Sequence, residues 1–319
     1  MTRTLVIAPQ WIGDAVMSEP LLARLAARDE VLTVAALPWV APVYRAMPQV
    51  AEVIELPFAH GRLDWSARCR LAATLRGRFE AAYVLPNSIK AALIPWLARI
   101  PNRIGYQGEG RLLLLNRRLP NPPGRPAMVA FYAALAGGIT PIAERPALKF
   151  PDAALAAATH AAGVQPGCYW TFAPGAEYGP AKRWPYFREL AARLDGQVVL
   201  IGSLSDRKEA AQITGKNLVG QTTLDEAIDL IAGASLVVSN DSGLMHVAAA
   251  SATRQVALFG SSSPEHTPPQ SAVARVVWLK VDCSPCYQRI CPLGHFKCMN
   301  GVSVERVLEE IKSLPDARR

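Results

Sequence analysis

Lys182 stands in the run Pro174-Gly175-Ala176-Glu177-Tyr178-Gly179-Pro180-Ala181-Lys182-Arg183-Trp184-Pro185, between an apolar stretch and a helical pattern. A glycine-bearing loop that delivers a lysine to the start of a proline-opened helix suits an anion. The helix end offers free N–H groups and the lysine a full positive charge. Phosphate is the natural ligand. A second run, Ser239-Asn240-Asp241-Ser242-Gly243-Leu244-Met245-His246, also passes from a strand pattern into a helix. Ser242 and Gly243 can turn backbone N–H groups toward a phosphate, and Asp241 can accept hydrogen bonds from sugar hydroxyls. His246, one turn on, can reach the same ligand or be a core histidine satisfied by backbone groups. A third loop, Gly260-Ser261-Ser262-Ser263-Pro264, adds hydroxyl and N–H donors. Three such loops at consecutive strand ends, together with Lys182, indicate a nucleotide diphosphate.

Trp11-Ile12-Gly13-Asp14 follows the first strand pattern. Gly13 permits a tight strand-to-helix turn, and Asp14 is either a helix N-cap or a general base for an acceptor hydroxyl. The absence of a G-x-G-x-x-G fingerprint there argues against a nicotinamide enzyme. Cys283, Cys286, Cys291 and Cys298 fall within sixteen residues, with His295 among them. That density in a reducing compartment predicts a structural tetrathiolate site for zinc or iron; four reduced thiols in an ordered loop is the alternative. Cys69 and Cys168 are isolated and predicted to be buried.

The elements that must hold these residues alternate. Strands are predicted at Leu5–Ala8, Val31–Ala36, Val53–Leu56 and Ala81–Leu85, then at Tyr169–Ala173, Gln197–Ile201, Leu236–Ser239 and Val256–Phe259. Helical spacing recurs between them, at Leu21–Ala26, Ala67–Leu75, Ala127–Ala136, Arg188–Leu194, Leu224–Ala234 and Leu244–Ala250. The pattern predicts an α/β protein of two Rossmann-like, doubly wound domains facing an interdomain cleft. The break after an irregular segment at Pro141–Pro151 places the domains at 1–155 and 156–319, and a last helix at Ser303–Leu314 fits either.

With 319 residues, half of them hydrophobic and 19% charged, the composition is that of a globular protein. No apolar run approaches the roughly 20 residues that span a bilayer, and Leu5-Val6-Ile7-Ala8-Pro9 is too short for a signal-peptide core. A soluble cytoplasmic protein is expected. The net charge is +8, and between His60 and Arg125 twelve lysines and arginines face three acids, an excess of nine. This region calls for a phosphorylated substrate, a membrane surface or a nucleic acid, unless it is a solvated arginine-rich face. Nucleic-acid binding is the remote reading, because the interleaved aromatics sit mostly within apolar strand or helix patterns.

Trp11-Ile12-Gly13-Asp14, Leu85-Pro86-Asn87-Ser88-x-Lys90-x-Ala92-Leu93, the Pro174–Pro185 run and Asn240–His246 jointly resemble the ADP-heptose:lipopolysaccharide heptosyltransferases, above all the heptosyltransferase II branch. The likeness extends over the whole chain. It implies a GT-B fold and inverting transfer of heptose to the first heptose of the Kdo-lipid A inner core, without a catalytic metal. By position, it implies that Asp14 is the base and that Lys182 neutralises the leaving diphosphate. Asp241 would hold heptose hydroxyls, with Ser242, Gly243 and His246 around the phosphates. Thr222 to Leu224 would meet adenine and Asp206 the ribose. Asn87, Ser88 and Lys90, with the neighbouring arginines, would meet the anionic acceptor, placing the protein peripherally at the inner face of the inner membrane. The cysteine cluster occurs in only some relatives, and related autotransporter heptosyltransferases carry a four-cysteine iron site. Heptosyltransferase I or another nucleotide-sugar transferase of this fold is the alternative.

Overall fold

The computed structural model describes residues 1–58, 63–137 and 145–315. The chain divides into two compact units, Met1–Pro146 and Ala147–Arg319. This division precedes the expected 155/156 boundary, because the helix Asp152–Ala161 packs on the helix Leu224–Ala232 of the second unit. Part of the irregular segment expected at 141–151 lies outside the described residues, as does Arg62 of the basic region.

The first unit holds strands β1 (Thr2–Ile7), β2 (Glu30–Ala36), β3 (Val50–Glu55), β4 (Ala81–Val84), β5 (Asn102–Tyr106) and β6 (Arg117–Leu119). They form one sheet in the order β3-β2-β1-β4-β5-β6, with every pair parallel. β4 is buried throughout, as expected of a central parallel strand written as an unbroken apolar run. The core on one side gathers Leu5, Ile7, Leu75, Phe79, Val84 and Ile94.

The second unit repeats the plan with β7 (Tyr169–Ala173), β8 (Gln197–Leu200), β9 (Lys216–Asn217), β10 (Leu236–Asn240), β11 (Gln255–Phe259) and β12 (Ala274–Trp278). Its order is β12-β11-β10-β7-β8-β9, again all parallel. Phe172, Trp184, Phe187, Val238 and Leu258 share its core with Met299, Val307 and Ile311. The last helix, Val304–Ser313, therefore belongs to this unit: it packs on β11 and β12. Both sheets have the order of a dinucleotide-binding fold, in which the chain reverses direction across the sheet beside the first strand. The reversal falls between β1 and β4 in one unit and between β7 and β10 in the other. The connections leaving those four strands carry Asp14, at a helix start, and Asn87-Ser88, Lys182 and Asp241.

Candidate functional site

In the second unit β7 and β10 run side by side, with Ala173 level with Ser239, so the loops that follow them emerge together. Asn240 ties one to the other. Its Oδ1 accepts from Trp184 N at 3.0 Å, and its Nδ2 donates to Pro174 O at 2.7 Å. The lysine loop is not the helix start that the sequence suggests. Lys182 ends a 3-10 turn, Pro180–Lys182, and the helix that follows begins only at Phe187 and is five residues long. Trp184 is drawn into the core before it, so Pro185 stands outside the helix.

Lys182 Nζ reaches Asp241 Oδ2 at 2.5 Å, the carboxylate being 4% exposed and the lysine 15%. Ser262 Oγ donates to the same oxygen. Beside them the helix Gly243–Ala250 opens without a side-chain cap, and the buried hydroxyls of Ser242 and Ser261 make no hydrogen bond. Buried polar atoms in folded proteins are almost always paired, so two idle hydroxyls beside an uncapped helix start and a lysine indicate a ligand's seat. His246 is buried one turn into that helix. Burial lowers its pKa to about 4, the carboxylate of Asp241 opposing the shift and the ammonium of Lys182 adding to it. The imidazole is neutral at physiological pH, so the fixed positive charge here is that of Lys182.

Tyr178 braces the lysine. Lys182 Nζ lies 4.8 Å and the Arg289 guanidinium 5.2 Å from the centre of its ring. Its hydroxyl donates to Tyr287 O at 2.5 Å, Ala181 N donates to Arg289 O at 3.0 Å, and Tyr287 N donates to Ser261 O at 2.7 Å. The cysteine-bearing segment therefore crosses the lysine loop and the Ser261 loop that follows β11. Gly179, at φ +143°, permits the crossing, since a Cβ there would meet Arg289 O at 2.6 Å.

The expected metal centre finds no support in that segment. Cys283, Cys286, Cys291 and Cys298 are all free thiols, and among the described residues no group of three or more His, Cys, Asp or Glu side chains is arranged to hold a metal ion. Cys298 is buried on the helix Lys297–Asn300, and its thiol pKa is raised by that burial first and then by the other three cysteines. Cys291 is turned instead to backbone N–H groups, foremost that of Phe296, which lower its pKa. The isolated cysteines are not buried: Cys168 is exposed and Cys69 half-buried.

Asp206 is engaged within its own loop. It is buried, and its Oδ2 accepts from Ser203 N and Ser203 Oγ, closing a turn at 203–206. Gly175 lies against it so closely that a Cβ would fall 2.1 Å from its carboxyl carbon. The carboxylate thus supports the loop after β8 through Oδ2, while its Oδ1 makes no hydrogen bond. Thr222 and Leu224 flank Thr223, whose hydroxyl caps the helix Leu224–Ala232 in a reciprocal box with Glu226.

In the first unit, Asp14 lies in the first turn of the helix Ile12–Met17, directly after β1. It is not the N-cap, a position held by Trp11. Its Oδ1 accepts from Tyr132 Oη at 3.0 Å. At β4 the Asn87 side chain and Pro86 O are both held by Arg111, whose NH2 donates to Asn87 Oδ1 at 3.0 Å and NH1 to Pro86 O at 2.6 Å. Ser88 caps the helix Ile89–Leu97 by accepting from Ala91 N. Lys90 O accepts from Arg68 NH1 at 2.8 Å. Arg68 and Arg111 are buried and bonded to main-chain carbonyls, so they leave the basic surface that their number suggested. Arg70, Arg76, Arg99, Arg117, Arg118 and Arg125 remain exposed. Tyr132, Asn240, Ser262, Tyr178 and Arg289 escaped the sequence reading, although Tyr178, Asn240 and Ser262 stood within the strand-end runs it singled out and Arg289 within the cysteine segment.

Two Rossmann-like units of this strand order, the second with a cationic, hydroxyl-lined seat at its strand ends, have the build of a GT-B glycosyltransferase. Residues 68–297 match glycosyltransferase family 9 (heptosyltransferase). Lipopolysaccharide heptosyltransferase 2 of Escherichia coli K12 is 40% identical and that of Salmonella typhimurium LT2 39% identical, each aligned over 98% of both chains. The solved structure of E. coli ADP-heptose LPS heptosyltransferase II is 37% identical and superposes with a TM-score of 0.86 over 98% of each chain. The chain belongs to glycosyltransferase family 9, the heptosyltransferases.

Proposed function

We propose that the chain is an inverting glycosyltransferase that carries L-glycero-D-manno-heptose from ADP-heptose to the first heptose of the lipopolysaccharide inner core, the heptosyltransferase II reaction. The observation that carries this reading is the Lys182–Asp241 pair beside the uncapped start of the helix Gly243–Ala250 and the idle hydroxyls of Ser242 and Ser261. A diphosphate seated there meets a full cation, backbone N–H groups and two hydroxyl donors. In the reaction Asp14 takes the proton of the acceptor hydroxyl as its oxygen attacks the anomeric carbon. The bond from that carbon to the phosphate oxygen breaks, and its electron pair leaves with ADP. Lys182 meets the charge that develops on the departing diphosphate. Once the phosphates compete for its ammonium, Asp241 is released to accept from heptose hydroxyls. Gly243 faces the phosphates, neutral His246 backs them, and Thr222 and Leu224 border the adenine.

Asn87, Ser88 and Lys90 bind the anionic acceptor, in a loop that Arg111 and Arg68 hold in shape. Next to them Leu112 and Leu113 project from a 3-10 turn, 63% and 87% exposed, with exposed Arg118 donating to Leu112 O; Ile89, Trp65 and Leu63 are exposed as well. Ile89 N donates to Glu109 Oε2, and Arg68 donates through Nε to Leu63 O and through NH1 to Lys90 O, which knits the three stretches together. Apolar tips among arginines suit the headgroup region of an anionic membrane, and this supports a peripheral station at its inner face. Among the described residues no helix is long and apolar enough to cross a membrane.

Incubation with ADP-heptose and inner-core acceptors truncated after Kdo or after the first heptose tests the reading. Transfer to the heptose-terminated acceptor is expected, and transfer only to the Kdo-terminated one overturns it. Asp14→Asn is expected to bind ADP-heptose as the wild type does and to lose at least about a hundredfold in turnover.

A further inference from the structure

Two buried phenols stand near the Asp14 carboxylate, and they do different things. The helix Ile12–Met17 packs against the helices Ala41–Arg45, Met128–Ala133 and Glu19–Ala26. Tyr44 comes from the first and is fully buried; Tyr132 comes from the second and is 4% exposed. Tyr44 Oη shares a hydrogen bond with Ser18 Oγ at 3.0 Å. Ser18 has one hydroxyl hydrogen and gives it to Ala15 O at 2.7 Å. The hydrogen between Ser18 and Tyr44 must then come from the phenol. Tyr44 therefore donates to Ser18, and Tyr132 alone of the two donates to Asp14. Tyr132 is itself pinned on both sides: Phe131 O accepts from Tyr106 Oη at 2.6 Å, the Phe131 and Tyr106 rings stack at 4.0 Å, and Ala133 O accepts from Arg24 NH1 at 3.2 Å.

We infer that Tyr132 is a positioning residue for Asp14: it fixes the orientation of the carboxylate and favours its ionised form. The inference rests on Asp14 being the base. A carboxylate that must receive a proton from a substrate needs a set direction, and a buried, braced phenol provides one without adding charge. Burial, followed by the charge of Asp14, holds the Tyr132 hydroxyl well above the usual phenol range, so it stays a donor at any working pH. The other titratable groups brought by the packed helices have partners of their own among the described residues. Glu19 accepts from Gln49 Nε2, Arg24 is held on Ala133 O, and Arg45 pairs with Glu55. Tyr44, also shifted upward by its burial, stays protonated on Ser18.

The test compares Tyr132→Phe with Tyr44→Phe in the full chain. Each variant loses one buried hydroxyl, but only the first loses a bond to Asp14. In Tyr132→Phe, kcat should fall about tenfold or more with both KM values within about twofold. The acidic limb of its kcat–pH profile should move up by about one unit, because a donor to the charged form holds a carboxylate pKa down. Tyr44→Phe should lower the melting temperature while leaving the limb in place. Placing 3-fluorotyrosine at 132 keeps the side chain and strengthens the donor, so the limb should move down; this arm needs no destabilised variant. An unmoved limb in both Tyr132 replacements, or equal shifts in Tyr132→Phe and Tyr44→Phe, overturns the inference. Asp14→Asn run alongside separates the two failures. Full turnover in that variant removes the base itself, whereas an inactive Asp14→Asn beside an unaltered Tyr132→Phe removes only the positioning role.

Discussion

Removing the two halves of the Lys182–Asp241 pair should have unequal effects on stability. In Lys182→Met the carboxylate of Asp241, 4% exposed, keeps the Ser262 hydroxyl but loses its cation at 2.5 Å. Stripping one partner from a buried ion pair costs about 3–5 kcal/mol, and the lower end applies because Ser262 still donates. At roughly 2–4 °C per kcal/mol for a unit of this size, the transition of the second unit should fall by about 6–12 °C. In Asp241→Asn the stranded charge is the lysine, already 15% exposed on a flexible stem. It can turn to solvent, and the new amide oxygen can still accept from Ser262, so a loss of about 1–2 kcal/mol is expected. The double variant Lys182→Met/Asp241→Asn should then be more stable than Lys182→Met alone, a coupling of about 1.5–3 kcal/mol. Binding should not follow stability. ADP titrated by calorimetry should bind about 10–100-fold more weakly to both variants that lack the lysine, the equivalent of one charge-assisted contact. A Lys182→Met protein melting within about 2 °C of wild type, or a double variant less stable than it, refutes this account of the pair.

His246 gives the second unit an acid-sensitive step. Its folded pKa of about 4 lies below the ordinary 6.5, so the neutral form is favoured in the fold. That stability is complete above pH 6.5 and is lost as pH falls toward 4, by up to about 3 kcal/mol. Thermal melts from pH 7 to 4 should show the decline, and His246→Gln should flatten it. Gly175→Ala forces a methyl group onto the Asp206 carboxylate and should lower stability by about 1–3 kcal/mol, read as a lower urea midpoint at unchanged slope. Leu112→Ser/Leu113→Ser should leave the melting temperature unchanged. It should cut sedimentation with phosphatidylglycerol-containing vesicles at least about tenfold, since each leucine forgoes about 1.5–3 kcal/mol of burial.

The central strands were legible because parallel strands covered on both faces are written as apolar runs, Tyr169–Ala173 to the residue. The strands that escaped notice lie toward or at the sheet edges. Asn102–Tyr106 begins with polar residues, Arg117–Leu119 carries two arginines, Lys216–Asn217 is two residues long, and Ala274–Trp278 is mostly half-exposed. The edge strands among them have solvent on one side and need no apolar signature, and Asn102–Tyr106, one place in, is covered only at its C-terminal end. Lys182 and Asp241 were legible as residue types at strand ends, but their pairing across 59 positions was not. Tyr132 sits in an apolar helix beside Phe131 and reads as core; only the hydroxyl distinguishes it, and its partner is 118 residues away. Four closely spaced cysteines suggested a metal, because spacing conveys proximity but not whether the thiols take up an arrangement that can hold an ion.

The crossing of the 283–298 segment over the two phosphate-side loops has a consequence for how the protein can vary. Its anchors include Ser261 O, Tyr287 N and O, Arg289 O and Ala181 N, all main-chain atoms, which every residue supplies and only proline partly lacks. Substitutions along the segment, the cysteines included, leave those anchors in place. An insertion or deletion between Tyr287 and Arg289 would shift one anchor past the other and draw the Lys182 turn with it. Drift in this part of the chain should therefore be liberal in composition and strict in length.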